Sequence, residues 1–128
     1  MLPVSTADAP KPVAAYSQAV ISQGIVYCSG QVGIDPQTGS LVSGIQAQAE
    51  QVFKNLTAVL RAAGTQPGNV LKANIFLADF TQFATVNAIY EHFVGTHRPA
   101  RTTVGVAALP LGALIEVDVI AAKDDLTL

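Results

Sequence analysis

An arginine stands at the start of a run of small and β-branched residues in the stretch HRPARTTVGV, residues 97–106. The composition of that run predicts a buried strand, and a guanidinium taken out of water must be paired and hydrogen-bonded. The nearest acids in sequence are Glu91, ten residues before Arg101, and Glu116, fifteen residues after it. Either an acid brought close by the fold or a bound ligand therefore has to neutralise this cation.

Glu116 is the candidate acid. The alternation in ALIEVDVIAA predicts a strand with Glu116 and Asp118 on one face, and we expect Asp118 to lie on an exposed edge. A hairpin through the loop LPLGA would bring Glu116 within several ångströms of Arg101. The two then form a structural salt bridge, or the guanidinium fork stays open and binds the carboxylate of a small molecule bidentately.

The other reactive side chains predict little chemistry by themselves. His92 and His97 have no acid or cysteine at ligand spacing, so no metal site is expected. Cys28 has no activating neighbour in sequence and is expected to be a small buried hydrophobe. Tyr16 and Ser29 carry hydroxyls beside apolar runs, which predicts hydrogen bonds at turns or strand ends. No phosphate-binding glycine motif is present in the sequence.

The elements that must position these residues begin with a hairpin. Two β-rich runs, 18–21 and 25–29, are joined through a turn at 22–24. From Ile45, apolar residues recur at steps of three and four up to Ala63, which predicts a helix.

The ends of that helix carry capping signals. Ser43 followed by Gln46 has the spacing of a capping box, and Gly64 stands where a C-terminal glycine belongs.

The second half of the chain predicts three strands and one helix. Residues 70–78 alternate as a strand, with Leu71 on the same face as Ala73, Ile75 and Leu77. A second helical stripe, from Phe83 to about Gly95, includes Asn87 as its one polar member. Strands are expected at 102–107 and 114–122. This order predicts an α+β fold with a mixed β-sheet and two helices packed on one face.

Composition indicates an oligomer. Charged residues make up 12% of the 128 residues and hydrophobic residues 50%, and the mean hydropathy is +0.40. The longest uncharged stretch, 12–34, is interrupted by polar residues and glycines, so it does not predict a membrane span. The alternating residues on the second sheet face are also mostly apolar, and we therefore expect another subunit to cover that face.

Charge and cysteine content indicate which classes of binding partner and which cellular compartment to expect. A net charge of −2 with seven basic residues argues against nucleic-acid binding. One cysteine and an N-terminus without signal-peptide features predict a cytoplasmic protein, with the mitochondrial matrix as the alternative. We expect a single domain over 1–128, in which residues 1–13 form an extended N-terminal arm.

Several segments in order resemble one known family. They are AAYSQAV, YCSGQVGIDPQTG, FATVNAIYEHF and RPARTTVGVAALPLGALIEVDVIA, within residues 14–122. Together they resemble the RidA family, the YjgF-type reactive-intermediate deaminases. The resemblance implies a chorismate-mutase-like fold and a homotrimer with a central barrel and sites between subunits. It also implies hydrolysis of enamines and imines, such as 2-aminoacrylate and 2-aminocrotonate, to 2-oxo acids and ammonia without a cofactor or metal.

The resemblance also implies roles for individual residues. Arg101 would grip the substrate carboxylate, and Glu116 would position the attacking water; these are the two expected catalytic residues. The other substrate-binding residues that it implies are Tyr16, Ser29, Gly30, Asn87 and, chiefly through its backbone, Thr103. Many relatives have cysteine in place of Thr103 and some have glutamate in place of Gly105, which leaves the substrate preference open.

Two other functions remain alternatives. A noncatalytic trimer could bind a small carboxylate in the same cleft and have a regulatory or chaperone-like role. Ribonuclease activity or inhibition of translation ranks last, because the sequence predicts neither a basic surface nor a placed pair of histidines.

Overall fold

The structure, a computed structural model, describes residues 1–124, so the last four residues of the predicted domain lie outside the described part. A mixed β-sheet and two α-helices make up most of it. The helices are α1 (Ile45–Ala62) and α2 (Phe83–Val94). The strands are β1 (Leu2–Val4), β2 (Ala19–Ser22), β3 (Ile25–Cys28), β4 (Gln31–Val32), β5 (Ile34–Asp35), β6 (Ser40–Leu41), β7 (Val70–Leu77), β8 (Ala100–Gly105) and β9 (Ile115–Ala122).

The main sheet has the strand order β1-β2-β3-β9-β7-β8, and β4 also pairs with β9. Strands β7 and β8 are parallel, and the other pairs in this sheet are antiparallel. Strands β5 and β6 form a separate two-stranded ribbon that is closed by the turn in DPQTGS, residues 35–40. The predicted α+β class with a mixed sheet is confirmed.

Both helices cover one face of the sheet. The apolar stripe of α1 packs on β9 and on α2, and alternate residues of β7 and β9 are buried beneath the helices. Ala73, Ile75 and Val119 are at most 1% exposed. This is the period-of-two burial that an amphipathic strand under a helix layer requires.

Of the two capping signals predicted for α1, the structure contains only the one at the C-terminal end. Gly64 has a φ of 82°, its N–H donates to the Arg61 carbonyl, and the Thr65 N–H donates to the Leu60 carbonyl. The predicted C-terminal glycine is therefore confirmed. The predicted capping box is wrong, because the N-cap residue is Gly44 rather than Ser43 and it makes no side-chain cap hydrogen bond.

Strand β7 differs from the predicted alternation at its N-terminal end. A register shift between Val70 and Lys72 marks a β-bulge against β9. Val70 is fully buried and Leu71 is 46% exposed, whereas simple alternation placed Leu71 in the core. The extra residue reverses the phase of the strand, so this part of the prediction is wrong.

The N-terminal region contains a strand that the sequence did not predict. Strand β1 lies within the expected extended arm and pairs with β2. The buried side chain of Gln18 accepts a hydrogen bond from the Thr6 N–H at 2.7 Å and donates to the Pro10 carbonyl at 2.9 Å.

The predicted hairpin, formed by β2 and β3, is confirmed. Gln23 and Gly24 have φ values of 52° and 78°, as its tight turn needs.

The predicted hairpin between the last two strands is wrong. Strand β8 lies parallel to β7 at the sheet edge, and β9 pairs with the opposite side of β7. The loop between them crosses the end of β7: the Val106 N–H donates to the Leu77 carbonyl, and the Ala78 N–H donates to the Leu114 carbonyl. A short connection in sequence therefore spans an intervening strand.

Candidate active site

Arg101 lies on the helix-covered face of the sheet. It is paired with Ala73 of β7, which is buried under the helices, and paired residues of neighbouring strands point to the same face. Helix α2 presents Phe83, Asn87 and Tyr90 to this position, at a spacing that puts them on one side of the helix. We call these three residues and Arg101 the arginine cluster.

The Arg101 guanidinium has a neutral partner and two aromatic neighbours. Its Nη1 donates a 2.6 Å hydrogen bond to Asn87 Oδ1, and its Cζ lies 5.3 Å from the Phe83 ring centroid and 5.0 Å from that of Tyr90. Within residues 1–124, no carboxylate forms a salt bridge with it; the one ion pair found there joins Arg98 and Glu91. A guanidinium has five N–H donors, so most of the fork remains open to a ligand.

A cleft of about 420 Å³ opens beside this guanidinium. Tyr90 is 5% exposed, and its hydroxyl has no hydrogen-bond partner within the described residues. Burial raises the pKa of Tyr90, and the nearby positive charges of Arg101 and Arg98 oppose that rise. A larger cavity, of about 780 Å³, lies between α1 and the N-terminal region and contains none of the predicted site residues. The smaller cleft is lined by Asn87, Tyr90, Glu91, Arg98, Pro99 and Arg101.

Glu116 belongs to a second group of residues. It is paired with Val32 of β4 and Phe76 of β7, and its carboxylate lies directly over Gly30. A Cβ added to Gly30 would be 2.6 Å from Glu116 Oε2, so any larger residue at this position would force the carboxylate to move. Desolvation, and next the charge of Asp118, raise the pKa of Glu116 above its usual value. A carboxyl group of this kind is suited to proton transfer.

Ser29, which precedes Gly30 in the chain, is hydrogen-bonded to the segment that follows Tyr16. Ser29 Oγ donates to the Ser17 carbonyl at 2.6 Å, and the Ser29 N–H donates to the Gln18 carbonyl at 3.0 Å. These bonds join the segment that contains Tyr16, whose side chain is 50% exposed, to the segment that contains Gly30. We call Tyr16, Ser29, Gly30 and Glu116 the glutamate cluster.

The two clusters face opposite sides of the sheet within one chain. Arg101 is in register with Ala73, and Glu116 is in register with Phe76, three residues further along β7. Successive side chains of a strand alternate between faces, so Arg101 and Glu116 point in opposite directions. The prediction that a hairpin brings them together is wrong for a single chain, because β7 separates β8 from β9.

The structure also locates the remaining predicted residues. Thr103 follows Arg101 by two positions on the same face, and its Oγ1 is buried without a hydrogen-bond partner in the described part of the chain. Asp118 was expected on an exposed edge, which is wrong: β9 is an interior strand, and Asp118 Oδ1 accepts a 2.8 Å hydrogen bond from Asn74 Nδ2. Sequence reasoning did not identify Phe83 and Tyr90 as neighbours of Arg101. Their seven-residue spacing around Asn87 was the available signal.

Other groups in the described residues do not form a metal site. No cluster of three histidine, cysteine, aspartate or glutamate side chains suited to a metal occurs among residues 1–124. His97 Nε2 is 2.6 Å from the Val70 carbonyl, a contact that ties the loop before β8 to β7. Burial, with a smaller contribution from Asp118, raises the pKa of the Cys28 thiol to about 12, so this thiol is protonated at neutral pH.

Comparison with known proteins identifies the family. The family model described as endoribonuclease L-PSP matches residues 6–123. The chain belongs to this family. The predicted RidA resemblance is confirmed by a similar solved structure, that of RidA from the Antarctic bacterium Psychrobacter sp. It is 43% identical, covers 95% of this chain and 99% of its own, and has a TM-score of 0.93.

Two further proteins similar to this chain carry informative names. Human 2-iminobutanoate/2-iminopropanoate deaminase is 45% identical over 125 residues, which cover 97% of this chain and 91% of the human protein. Escherichia coli TdcF, solved with bound serine, is 34% identical, covers 97% of this chain and all of its own, and has a TM-score of 0.92.

Neither helix within residues 1–124 has the combination of length and apolar composition that a membrane span requires.

Proposed function

We propose that this L-PSP family member hydrolyses small 2-enamino acids, such as 2-aminoacrylate and 2-aminocrotonate, and their 2-imino tautomers to 2-oxo acids and ammonia. The observation that carries the proposal is the Arg101 guanidinium, which lies beside a cleft with a neutral amide as its hydrogen-bond partner. A free cation of this kind fits the carboxylate that all these substrates share. The name of the human relative supports the same reaction, and the serine bound to TdcF is itself a small amino acid.

The proposed reaction needs only a held substrate, a water molecule and one group that transfers protons. The enamine first tautomerises to the imine, whose carbon is electrophilic. As water adds to that carbon, Glu116 takes one proton from the water and passes it to the imine nitrogen, which gives the carbinolamine. Glu116 then takes the proton of the carbinolamine hydroxyl and passes it to the same nitrogen as the carbon–nitrogen bond breaks and the carbonyl forms. Ammonia leaves and the 2-oxo acid remains, while Arg101 holds the carboxylate throughout.

We propose that the site is completed between subunits. Arg101 and Glu116 point away from opposite faces of one sheet, so one chain cannot present both to a small substrate. In a homotrimer with a central barrel, the open sheet face of one subunit would pack beside the arginine cluster of the next. That open face is partly apolar, with Tyr27 44% and Val104 38% exposed. Thr103 would then contribute backbone contacts to the substrate.

Arg101→Ala tests the role of the cation. We expect kcat/KM for freshly generated 2-aminoacrylate, followed by ammonia release, to fall by about a hundredfold or more, because a bidentate charged contact is lost. The matched control is Arg61→Ala, which removes an exposed arginine from α1. An Arg101→Ala protein that is folded, has the parent's oligomeric mass and turns over at the parent rate would show the proposal to be wrong.

Glu116→Gln separates an enzyme from a noncatalytic carboxylate-binding protein. We expect the variant to bind 2-oxobutanoate as the parent does and to lose turnover, because the amide cannot accept the proton from water. Binding by both proteins with turnover by neither would favour the noncatalytic alternative.

The family model is described as an endoribonuclease, so the same assays need a single-stranded RNA as a second substrate. RNA cleavage by the parent that Arg101→Ala does not affect would favour the ribonuclease alternative.

A mixing experiment tests where the site is built. Arg101→Ala and Glu116→Gln subunits are unfolded together, refolded together and assayed against each variant refolded alone. If each site takes Arg101 from one subunit and Glu116 from its neighbour, every mixed trimer regains one intact site and the mixture reaches about a quarter of the parent rate. A site built within one chain would stay defective in every subunit, and no activity would return.

A further inference from the structure

We propose that Glu91 is a positioning residue that keeps Arg101 ready for an anionic ligand, acting through the side-chain amide of Asn87. The inference rests on the proposed function of the Arg101 cleft. Arg101 Nη1 donates to Asn87 Oδ1 at 2.6 Å, and Asn87 Nδ2 donates to Glu91 Oε1 at 3.1 Å. The amide therefore lies between a cation and an anion, with a different end turned to each.

The direction of the Asn87 amide matters because its two ends are chemically opposite. An ionised carboxylate can only accept hydrogen bonds, so Glu91 requires the NH₂ group of Asn87 to face it. The amide oxygen is then turned toward Arg101, and it accepts the hydrogen bond that Nη1 of Arg101 donates. If the amide were flipped, its N–H donors would meet the donors of the guanidinium, and both groups would lose a hydrogen bond.

Glu91 is itself held at its other oxygen. Its Oε2 lies 3.8 Å from Arg98 Nη2, and Arg98 Nη1 donates to the Gly95 carbonyl at 2.8 Å and the His97 carbonyl at 2.9 Å. These carbonyls lie at and just beyond the C-terminal end of α2, where a cation is favourable. The carboxylate thus lies between Asn87 and Arg98 and has one contact with each.

This arrangement also explains how an acid can line the cleft without blocking it. Glu91 and Arg101 both line the cleft, yet Glu91 forms its ion pair with Arg98 and not with Arg101. The neutral Asn87 amide stands between them. Glu91 can therefore orient the guanidinium while the rest of the guanidinium fork stays open for a substrate carboxylate. Because the Glu91 side chain is half exposed, we expect its effect to be modest.

The kinetic test compares Glu91→Ala with Glu91→Gln. Glu91→Ala should raise KM for 2-aminoacrylate and Kd for 2-oxobutanoate about fivefold, as expected for one lost hydrogen bond, and leave kcat nearly unchanged. Glu91→Gln should stay close to the parent, because its carbonyl still accepts from Asn87. The matched control is Glu50→Ala, since Glu50 is an exposed glutamate on α1 that accepts a hydrogen bond from Gln46, also four residues earlier.

A long-range charge effect would give the opposite pattern. Removing a negative charge near Arg101 would then tighten anion binding, and Glu91→Gln and Glu91→Ala would both lower KM and Kd. Either this result or an unchanged KM in Glu91→Ala would overturn the proposal.

A spectroscopic readout keeps the inference separate from the proposed function. In ¹⁵N–¹H spectra of the side chains, guanidinium N–H groups that are hydrogen-bonded rotate and exchange with water slowly. We expect the Arg101 signals to exchange faster in Glu91→Ala and to stay unchanged in Glu91→Gln and Glu50→Ala. Unchanged Arg101 signals in Glu91→Ala would contradict the positioning role even in an active enzyme. If the parent protein shows no turnover and the Arg101 signals still exchange faster in Glu91→Ala, the positioning role would be supported while the proposed function failed.

Discussion

Arg101 keeps its charge available because the groups that contact its guanidinium directly are neutral. The Asn87 amide takes one N–H donor, and the Phe83 and Tyr90 rings lie near the guanidinium without using its hydrogen-bond donors. Glu116 is controlled differently, by partial burial and by the neighbouring charge of Asp118. At the residue scale, the chain therefore holds a cation ready for an anion and a carboxyl group that keeps its proton more tightly than usual.

The raised pKa of Glu116 predicts a pH-dependent gain in stability for Glu116→Gln. The pKa of Glu116 is above 4.5 in the folded chain, so the folded form holds a proton that the unfolded form has already released. The stability of the parent therefore falls as pH rises from the unfolded pKa through the folded one. We expect Glu116→Gln to be more stable than the parent above this window and to lose that advantage below about pH 4.5.

Urea denaturation across pH measures this difference as a free energy of unfolding. Glu50→Gln on the exposed side of α1 is the control, and it should show no comparable gain. A Glu116→Gln protein whose advantage grows as the pH is lowered would contradict the assigned direction of the pKa.

At the element scale, the glutamate cluster depends on how closely the segment around β4 approaches α1. A Cβ added to Gly33 would lie 2.8 Å from the Gln48 Cα, which belongs to the helix backbone, so relieving this contact would require the helix or the β4 segment to shift. Gln48 in turn accepts a hydrogen bond from the Leu114 N–H at 2.8 Å, just before β9. The close contact at Gly33 thus helps to set where β4 and β9, and with them Gly30 and Glu116, meet.

Gly33→Ala is expected to destabilise the fold by about 1–3 kcal/mol, because the added methyl group overpacks the contact with α1. Chemical denaturation at one protein concentration gives the free energy of unfolding. Gly68→Ala is the control, since a Cβ at Gly68 meets nothing within 4 Å. Equal stability of the two variants would mean that α1 and β4 can separate without cost.

At the scale of the whole molecule, one face of the sheet is closed by helices and the other is open. The open face carries partly exposed apolar side chains beside Glu116 and Asp118, among them Tyr27, Phe76 and Ile120. The low charge content of the chain indicates the same need for a covering subunit. A homotrimer is the assembly that we propose for covering this face and completing the site.

Sedimentation should give a mass three times the 13.3 kDa of one chain. Ile120→Asp places a charge on the open face beside Tyr27, and we expect it to shift the mass toward that of the monomer and to remove turnover. Ala47→Asp puts the same charge on the exposed side of α1 and should keep the trimer. A parent protein that sediments as a monomer and is fully active would exclude a shared site.

The sequence alone determined the elements whose signal is local. The apolar periods of α1 and α2, the β2–β3 turn and the alternation of β9 were readable, because helix and strand faces repeat every few residues. The family and its implied site residues were readable too, from segments that occur in a recognisable order. The tertiary structure decided the bulge at Leu71, the parallel pairing of β8 with β7 and the opposite directions of Arg101 and Glu116. These features depend on which distant strands become neighbours, and that choice is made by the packing of the whole sheet rather than by any short stretch of chain.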